Sequence, residues 1–212
     1  MKLYMMRHGE TDWNAQLRLQ GCADVSLNEN GRRLAKITGE ALKDIRFDQV
    51  FSSPLCRAVE TARLVLGDRD VPVVTDARIK EISFGEWEGR RCGEKFGEIP
   101  QDMLDNFFHA PEKYTAPSGG ESFEEILART KDFYDELVQK REYENCNILI
   151  ASHGAAVRAL LQNVYRDGDY WQGGVPKNCA ITIVEIKDGK VVSVDPDRIY
   201  YKNNDDIRIT GA

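Results

Sequence analysis

The chain has 212 residues, 42% of them hydrophobic, and a formal net charge of −6. That length supports one domain with a full core, and so ordinary a composition excludes disordered, collagen-like and membrane-embedded classes. The acidic balance argues against a nucleic-acid binder, which needs a basic surface, although a local arginine cluster can still hold an anion.

The chain alternates short strands and helices. Residues 2–7, KLYMMR, read as a strand that ends on Arg7, with His8 and Gly9 directly after it. Residues 27–45 have helical periodicity, with Leu34, Ile37, Ala41 and Leu42 on one face. FDQVFSS, residues 47–53, is a second strand. The helix expected at 53–66 has Ser53 placed as N-cap and Pro54 at its first position. VPVVT, residues 71–75, reads as a third strand.

Residues 91–120 break the pattern with Gly, Pro, aromatics and short helical pieces, and are expected to form a lid-like insertion within a single domain spanning 1–212. A long helix over 121–143 follows, its charged positions reading as a solvated face. Then come a strand at 146–152 and a helix at 154–165 that opens on His153 and Gly154. Residues 179–195 read as two alternating strands about the turn Lys187-Asp188-Gly189-Lys190. Strand–helix alternation of this kind predicts an α/β fold, a mostly parallel sheet with helices on both faces and an antiparallel edge. Ligands of such sheets bind beyond the carboxyl ends of the strands, where both His-Gly junctions fall.

The five cysteines (22, 56, 92, 146 and 179) are scattered and odd in number, which speaks against a disulfide framework or a zinc site and suits a cytoplasmic protein. No leader is expected, because Arg7 interrupts the short apolar start. No window reaches the ~18 apolar residues of a membrane helix. Three segments bring chemistry to strand ends: Arg7 with His8, Arg57 after FSSP, and His153. Arg57 falls in the first turn of a helix, where unpaired N–H groups favour an anion, and Gly154 opens a second helix aimed at the same place. A phosphate fits these donors.

In order, RHGETDWN, SSPLCRAVETA, EISFGEWEGR and ASHGAAVR resemble the histidine phosphatase superfamily, in its phosphoglycerate-mutase-like branch. GCADVSLNENGRRLA, with Gly21, Asp24, Leu27 and Gly31, also fits that pattern. The resemblance implies a three-layer phosphoglycerate-mutase-like sandwich with no metal and no cofactor. It implies that His8 is the nucleophile, forming a phosphohistidine, and that Arg7, Arg57 and His153 hold the phosphoryl oxygens. Asn14, Gln20, Gly21 and Gly154 complete the phosphate site. Glu81 is implied as the proton donor, with Glu86 and Glu88 nearby as other carboxylates. Trp87 and Cys56 read as packing residues, Cys56 facing the core, and His109 as a surface or lid residue.

PSGGES, residues 117–122, resembles the phosphatase members, and the basic lid segment of the mutases is not found. The expected activity is therefore hydrolysis of a small phosphorylated metabolite. The alternatives are a 2,3-bisphosphoglycerate-dependent phosphoglycerate mutase and a non-catalytic phosphate-binding module. Neither nucleic acid nor membrane is expected as a partner, and the sequence leaves a homodimer open.

Overall fold

Leu3 and Met5 face one side of the first strand and Tyr4 and Met6 the other, and all four are buried. A strand apolar on both faces needs a covering layer on each. The computed structural model, which describes residues 1–165 and 169–202 apart from the side chain of Glu94, supplies both layers. The strands are β1 (Lys2–Arg7), β2 (Gln49–Ser52), β3 (Val73–Thr75), β4 (Asn147–Ser152), β5 (Ile181–Lys187) and β6 (Lys190–Arg198). The helices are α1 (Asp12–Ala15), α2 (Glu29–Ala41), α3 (Cys56–Leu66), α4 (Gln101–His109), α5 (Phe123–Gln139) and α6 (Gly154–Gln162).

The sheet has six strands in the order β3-β2-β4-β1-β5-β6. The first four run parallel, and β5 and β6 add the antiparallel edge. On one face Leu34 and Ala35 of α2 and Ala62 and Val65 of α3 pack on Tyr4, Met6, Val50 and Leu149. On the other, Phe133 and Leu137 of α5 and Val157 and Leu160 of α6 pack on Leu3, Met5, Ile148 and Ile150. This is the expected α/β sandwich. The β5–β6 turn is Asp188-Gly189, both with positive φ (50° and 69°), as a two-residue hairpin turn requires.

Several boundaries differ from the sequence reading. Helix α3 begins at Cys56 with Leu55 as its N-cap, so Ser53 and Pro54 lie outside it. Ala41, expected to face inward, is exposed, and Gly39 holds the buried position instead. A Cβ on Gly39 would lie 2.7 Å from the Val65 carbonyl oxygen, so α2 and α3 meet there backbone to backbone. Helix α5 starts from a capping box of Ser122 and Glu125 and stops at Gln139, leaving 141–143 as a single tight turn.

The 91–120 segment is a wall with its own helix. Met103, Leu104 and Phe107 of α4 join Ile82, Phe84, Phe123, Ala155, Tyr170 and Trp171 in a third apolar cluster, reached from the carboxyl end of the sheet through α6.

Candidate active site

In the parallel pairing of β1 with β4, Arg7 lies opposite Ser152, and the next residues out are His8 and His153. The His8 N–H donates to the Ser152 carbonyl (2.9 Å), and the two imidazoles sit 5.1 Å apart between centroids. Both histidines are buried. Their pKa values are held well below the ordinary histidine value, first by burial and then by the charge of Arg57. For His8, Arg7 lowers it further, and the hydrogen bond to Gly9 works weakly the other way.

His8 Nδ1 lies 2.6 Å from the Gly9 carbonyl oxygen. A carbonyl only accepts, so Nδ1 carries the proton and Nε2 keeps its lone pair. Asn178 donates to the His8 carbonyl (3.1 Å), and the Cys179 N–H donates to the carbonyls of Arg7 and His8 (3.1 and 3.3 Å). Gly9 donates to Thr61 Oγ1 (2.9 Å), and a Cβ on it would lie 2.7 Å from the Gly31 carbonyl oxygen. The turn after β1 is thus pressed against the start of α2.

One cleft is walled by Arg7, His8, Asn14, Gln20, Gly21, Arg57, Glu81 and Gly154 on its polar side. Its other side is Leu19, Phe84, Phe107, Phe108, Trp171 and Val175. His153 lies next to this wall, beside His8. Arg57 is fully buried; it donates to the Gly21 and Ala23 carbonyls, both at 2.7 Å, and its Nε has no hydrogen-bond partner. Burial pulls its guanidinium below the ordinary arginine value, with Glu81 acting the other way. Arg7 donates to the Pro176 carbonyl (2.6 Å).

Asn14 Oδ1 accepts from the backbone and hydroxyl of Thr11 (3.1 and 3.2 Å), so its amide N–H₂ is the group left to donate. Gln20 is buried with its Oε1 unpartnered. Gly21 has φ +52°, and a Cβ there would lie 2.2 Å from Glu88 Oε1. His153 Nε2 is 2.7 Å from Ser53 Oγ, and its Nδ1 is buried without a partner.

The two helix starts behave differently from the sequence reading. The first N–H of α3, on Cys56, donates to Asp24 Oδ1 (2.7 Å). Burial pushes Asp24 up, but the bonds from Cys56 outweigh it and hold the carboxylate low. At α6, the N–H groups of Ala156 and Ala155 donate to Glu81 Oε1 and Oε2 (3.1 and 3.3 Å), and Ile82 N–H also donates to Oε1 (3.0 Å). Carboxylates of the protein therefore use these positive helix ends. Arg57 Nε and His153 Nδ1, unlike the start of α6, keep no partner of the protein's own. Cys56, expected to face the core, is half-buried with its Sγ near Ser26.

Of the three neighbouring carboxylates, only Glu81 lies on the cleft wall. Glu86 is exposed, and Glu88 Oε1 accepts from Cys22 N, Phe84 N and Ser83 Oγ (2.8, 3.1 and 3.3 Å), tying the Gly21 turn to residues 83–84. His109 is exposed and off the cleft wall, and Trp87 packs on the third cluster. Nothing in the local sequence pattern points to Asn178, Ser53 or Asp24 in these roles. Among the described residues, no three His, Cys, Asp or Glu side chains gather as a metal site would require, and no helix is long and apolar enough to cross a membrane.

Known proteins resemble this chain in sequence and in fold. Residues 3–196 match the family model of the histidine phosphatase superfamily (branch 1). The chain is 32% identical to the uncharacterized phosphatase PhoE of Bacillus subtilis, covering 88% of this chain and 89% of that one. It is 34% identical to 2,3-bisphosphoglycerate-dependent phosphoglycerate mutase 2 of Gloeobacter violaceus, over 76% and 74% of the two chains. The solved structure of Bacillus stearothermophilus YhfR superposes with a TM-score of 0.84 at 31% identity, covering 94% of this chain and 98% of that one. The chain belongs to the histidine phosphatase superfamily.

Proposed function

We propose that this histidine phosphatase superfamily member is a phosphomonoester phosphatase that works without a metal, through a phosphohistidine. The observation that carries the chemistry is His8: a buried, neutral imidazole with Nδ1 tied to the Gly9 carbonyl and its other nitrogen free to attack. Arg7 and Arg57 line the same wall and supply the charge that phosphoryl transfer demands, with Asn14 beside them as a neutral hydrogen-bonding group.

In the first step His8 Nε2 bonds to phosphorus, the bond to the ester oxygen breaks, and Glu81 gives that oxygen its proton. In the second, water attacks phosphorus, Glu81 takes the water's proton, and the P–N bond breaks to release phosphate and restore His8. The hydrogen bonds from Ile82, Ala155 and Ala156 fix where the Glu81 carboxyl sits. Oε2, with one longer bond, is the oxygen placed to exchange the proton.

Hydrolysis is favoured over mutase chemistry by the rest of the cleft. Beyond the phosphate side its wall is Leu19, Phe84, Phe107, Phe108, Trp171 and Val175, and Arg18 is the one further cation among its described residues. Arg18 already donates to Gln16 Oε1 and to the Gly89 carbonyl. A mutase must bind a carboxylate as well as phosphate, and a charge against such a wall is costly. An ester with a largely apolar alcohol fits this wall, and the product alcohol leaves while water enters.

The phosphoglycerate mutase reading keeps the support of several relatives of that name, the one from Gloeobacter violaceus at 34% identity among them. The deciding experiment is a panel of phosphorylated metabolites and simple esters in chelator, following phosphate release, with 3-phosphoglycerate isomerisation assayed with and without 2,3-bisphosphoglycerate. Isomerisation faster than phosphate release, and dependent on the bisphosphate, replaces this reading by the mutase. Neither activity on any compound removes both.

A further inference from the structure

Arg129 lies on α5, a helix whose charged positions read from sequence as a solvated face, yet its side chain is only 19% exposed. Its guanidinium has five N–H donors, and five bonds use them. Nη1 donates to the carbonyls of Arg78 and Lys80, both at 2.7 Å, and Nη2 donates to the Glu81 carbonyl at 3.1 Å. Nη2 and Nε donate to the two carboxylate oxygens of Glu121, at 2.7 and 2.5 Å. The one carbonyl skipped in this run, that of Ile79, accepts from Ser152 Oγ at 2.8 Å.

Four successive carbonyls leading into Glu81 are thus fixed, three of them by one side chain. Glu121 closes the arrangement, since its own N–H donates to the Ser83 carbonyl (2.9 Å) two residues beyond Glu81. We infer that Arg129 is a positioning residue for the proton donor: it holds the backbone of residues 78–81 so that the Glu81 carboxyl meets the start of α6 beside His8. The inference rests on the proposed role of Glu81. Arg129 acts chiefly through backbone, so its loss misplaces the carboxyl; it makes no hydrogen bond to the phosphate-side groups and reaches His153 only by its charge.

A group that serves only the proton donor leaves a signature in the choice of substrate. An alkoxide leaving group needs the proton, whereas p-nitrophenolate leaves unaided. The test compares p-nitrophenyl phosphate with 2-phenylethyl phosphate, an alkyl ester of similar size, in the full-length protein. Arg129→Met is expected to lose at least ~10-fold in kcat on the alkyl ester, given that general acids contribute ~10²–10⁴-fold, and less than about 3-fold on the nitrophenyl ester. In a Glu81→Gln background the same substitution should cost less than about 2-fold on the alkyl ester, because the two act as one unit.

Equal losses on both esters, or losses that multiply with Glu81→Gln, overturn the inference. If Glu81→Gln alone shows no difference between the esters, the assignment of Glu81 fails instead, and the two failures are told apart by that single variant. Should Arg129→Met not fold by circular dichroism, Arg129→Lys takes its place. Its ammonium keeps the charge beside Glu121 but has three donors and no planar fork, so the same split of smaller size supports the inference and an even loss overturns it.

Discussion

His153 Nε2 lies 2.7 Å from the hydroxyl of Ser53. That hydroxyl accepts from the Leu55 N–H (3.3 Å), and among the described residues its own hydrogen has no acceptor but the imidazole. Nε2 is then the acceptor, and the proton sits on Nδ1, the buried nitrogen without a partner. On the proposed function, a serine one residue past the end of β2 sets the tautomer with which His153 would donate to an anion. Ser53→Ala should weaken inorganic phosphate binding by about 1 kcal/mol, the worth of one hydrogen bond, and Ser53→Thr should restore it. Titration calorimetry measures both, and unchanged affinity in the alanine variant means that the tautomer is set some other way.

His8 and Arg57 should separate turnover from binding. His8→Ala is expected to abolish phosphate release while keeping inorganic phosphate affinity within a few-fold of the parent protein. Arg57→Ala should lose about 2 kcal/mol of that affinity, as expected for a desolvated charge-assisted bond. It should also lower thermal stability, because the carbonyls of Gly21 and Ala23 lose their donors. Near-normal turnover in His8→Ala would show that the nucleophile is another residue.

The close approach after β1 predicts a folding defect. A Cβ on Gly31 would lie 2.1 Å from the Glu10 carbonyl oxygen and 2.6 Å from the Glu10 nitrogen. Neither is a flexible side-chain end, so Gly31→Ala forces the backbone behind His8 to shift. The variant should unfold at clearly lower urea and lose activity together, whereas Gly67→Ala, with open space but φ +59°, should be milder on activity. Equal activity in the two would remove the case for backbone contact at Gly31.

The sheet was legible because burial on both faces leaves a continuous apolar run, as in Leu3–Met6 and Ile148–Ala151, and strand ends then point to the cleft. Arg7, His8, Arg57 and His153 follow directly from those ends. What the sequence hid depends on partners far along the chain. Asp24 caps α3 from 32 residues away, and Ser53, read as that cap, instead serves His153 from 100 residues away. Arg129 looks like any helix arginine until its helix is laid against residues 78–81. Local patterns predict caps from neighbouring residues; they carry no information on which distant carboxylate or carbonyl arrives first.

Chelation should leave activity unchanged. The described residues contain no cluster of ligating side chains, and the phosphate side of the cleft is charged by arginines. Phosphate release is expected at the same rate before and after dialysis against EDTA. A loss restored by added divalent ion would replace the phosphohistidine route by metal-assisted hydrolysis.

The paired histidines also make stability depend on pH in a definite window. Unfolded, His8 and His153 titrate near ~6.5; folded, burial and the arginines hold both well below it. Between the folded and unfolded values the unfolded chain binds more protons, so unfolding becomes easier as pH falls. Their contribution is fully present above the unfolded value and is lost progressively below it, until the folded histidines themselves take up protons. Two protons correspond to a limiting slope of about 3 kcal/mol per pH unit. Asp24 and Asp76, whose folded values are lowered, act in a separate and more acid window, so urea unfolding between pH 7.5 and 5.5 isolates the histidines. In phosphate-free buffer His8→Gln should reduce the slope by about half. Saturating phosphate should flatten it in the parent protein, since a bound dianion favours the protonated imidazoles and raises their folded values. A slope unchanged in both experiments would mean that these histidines do not control the acid limb.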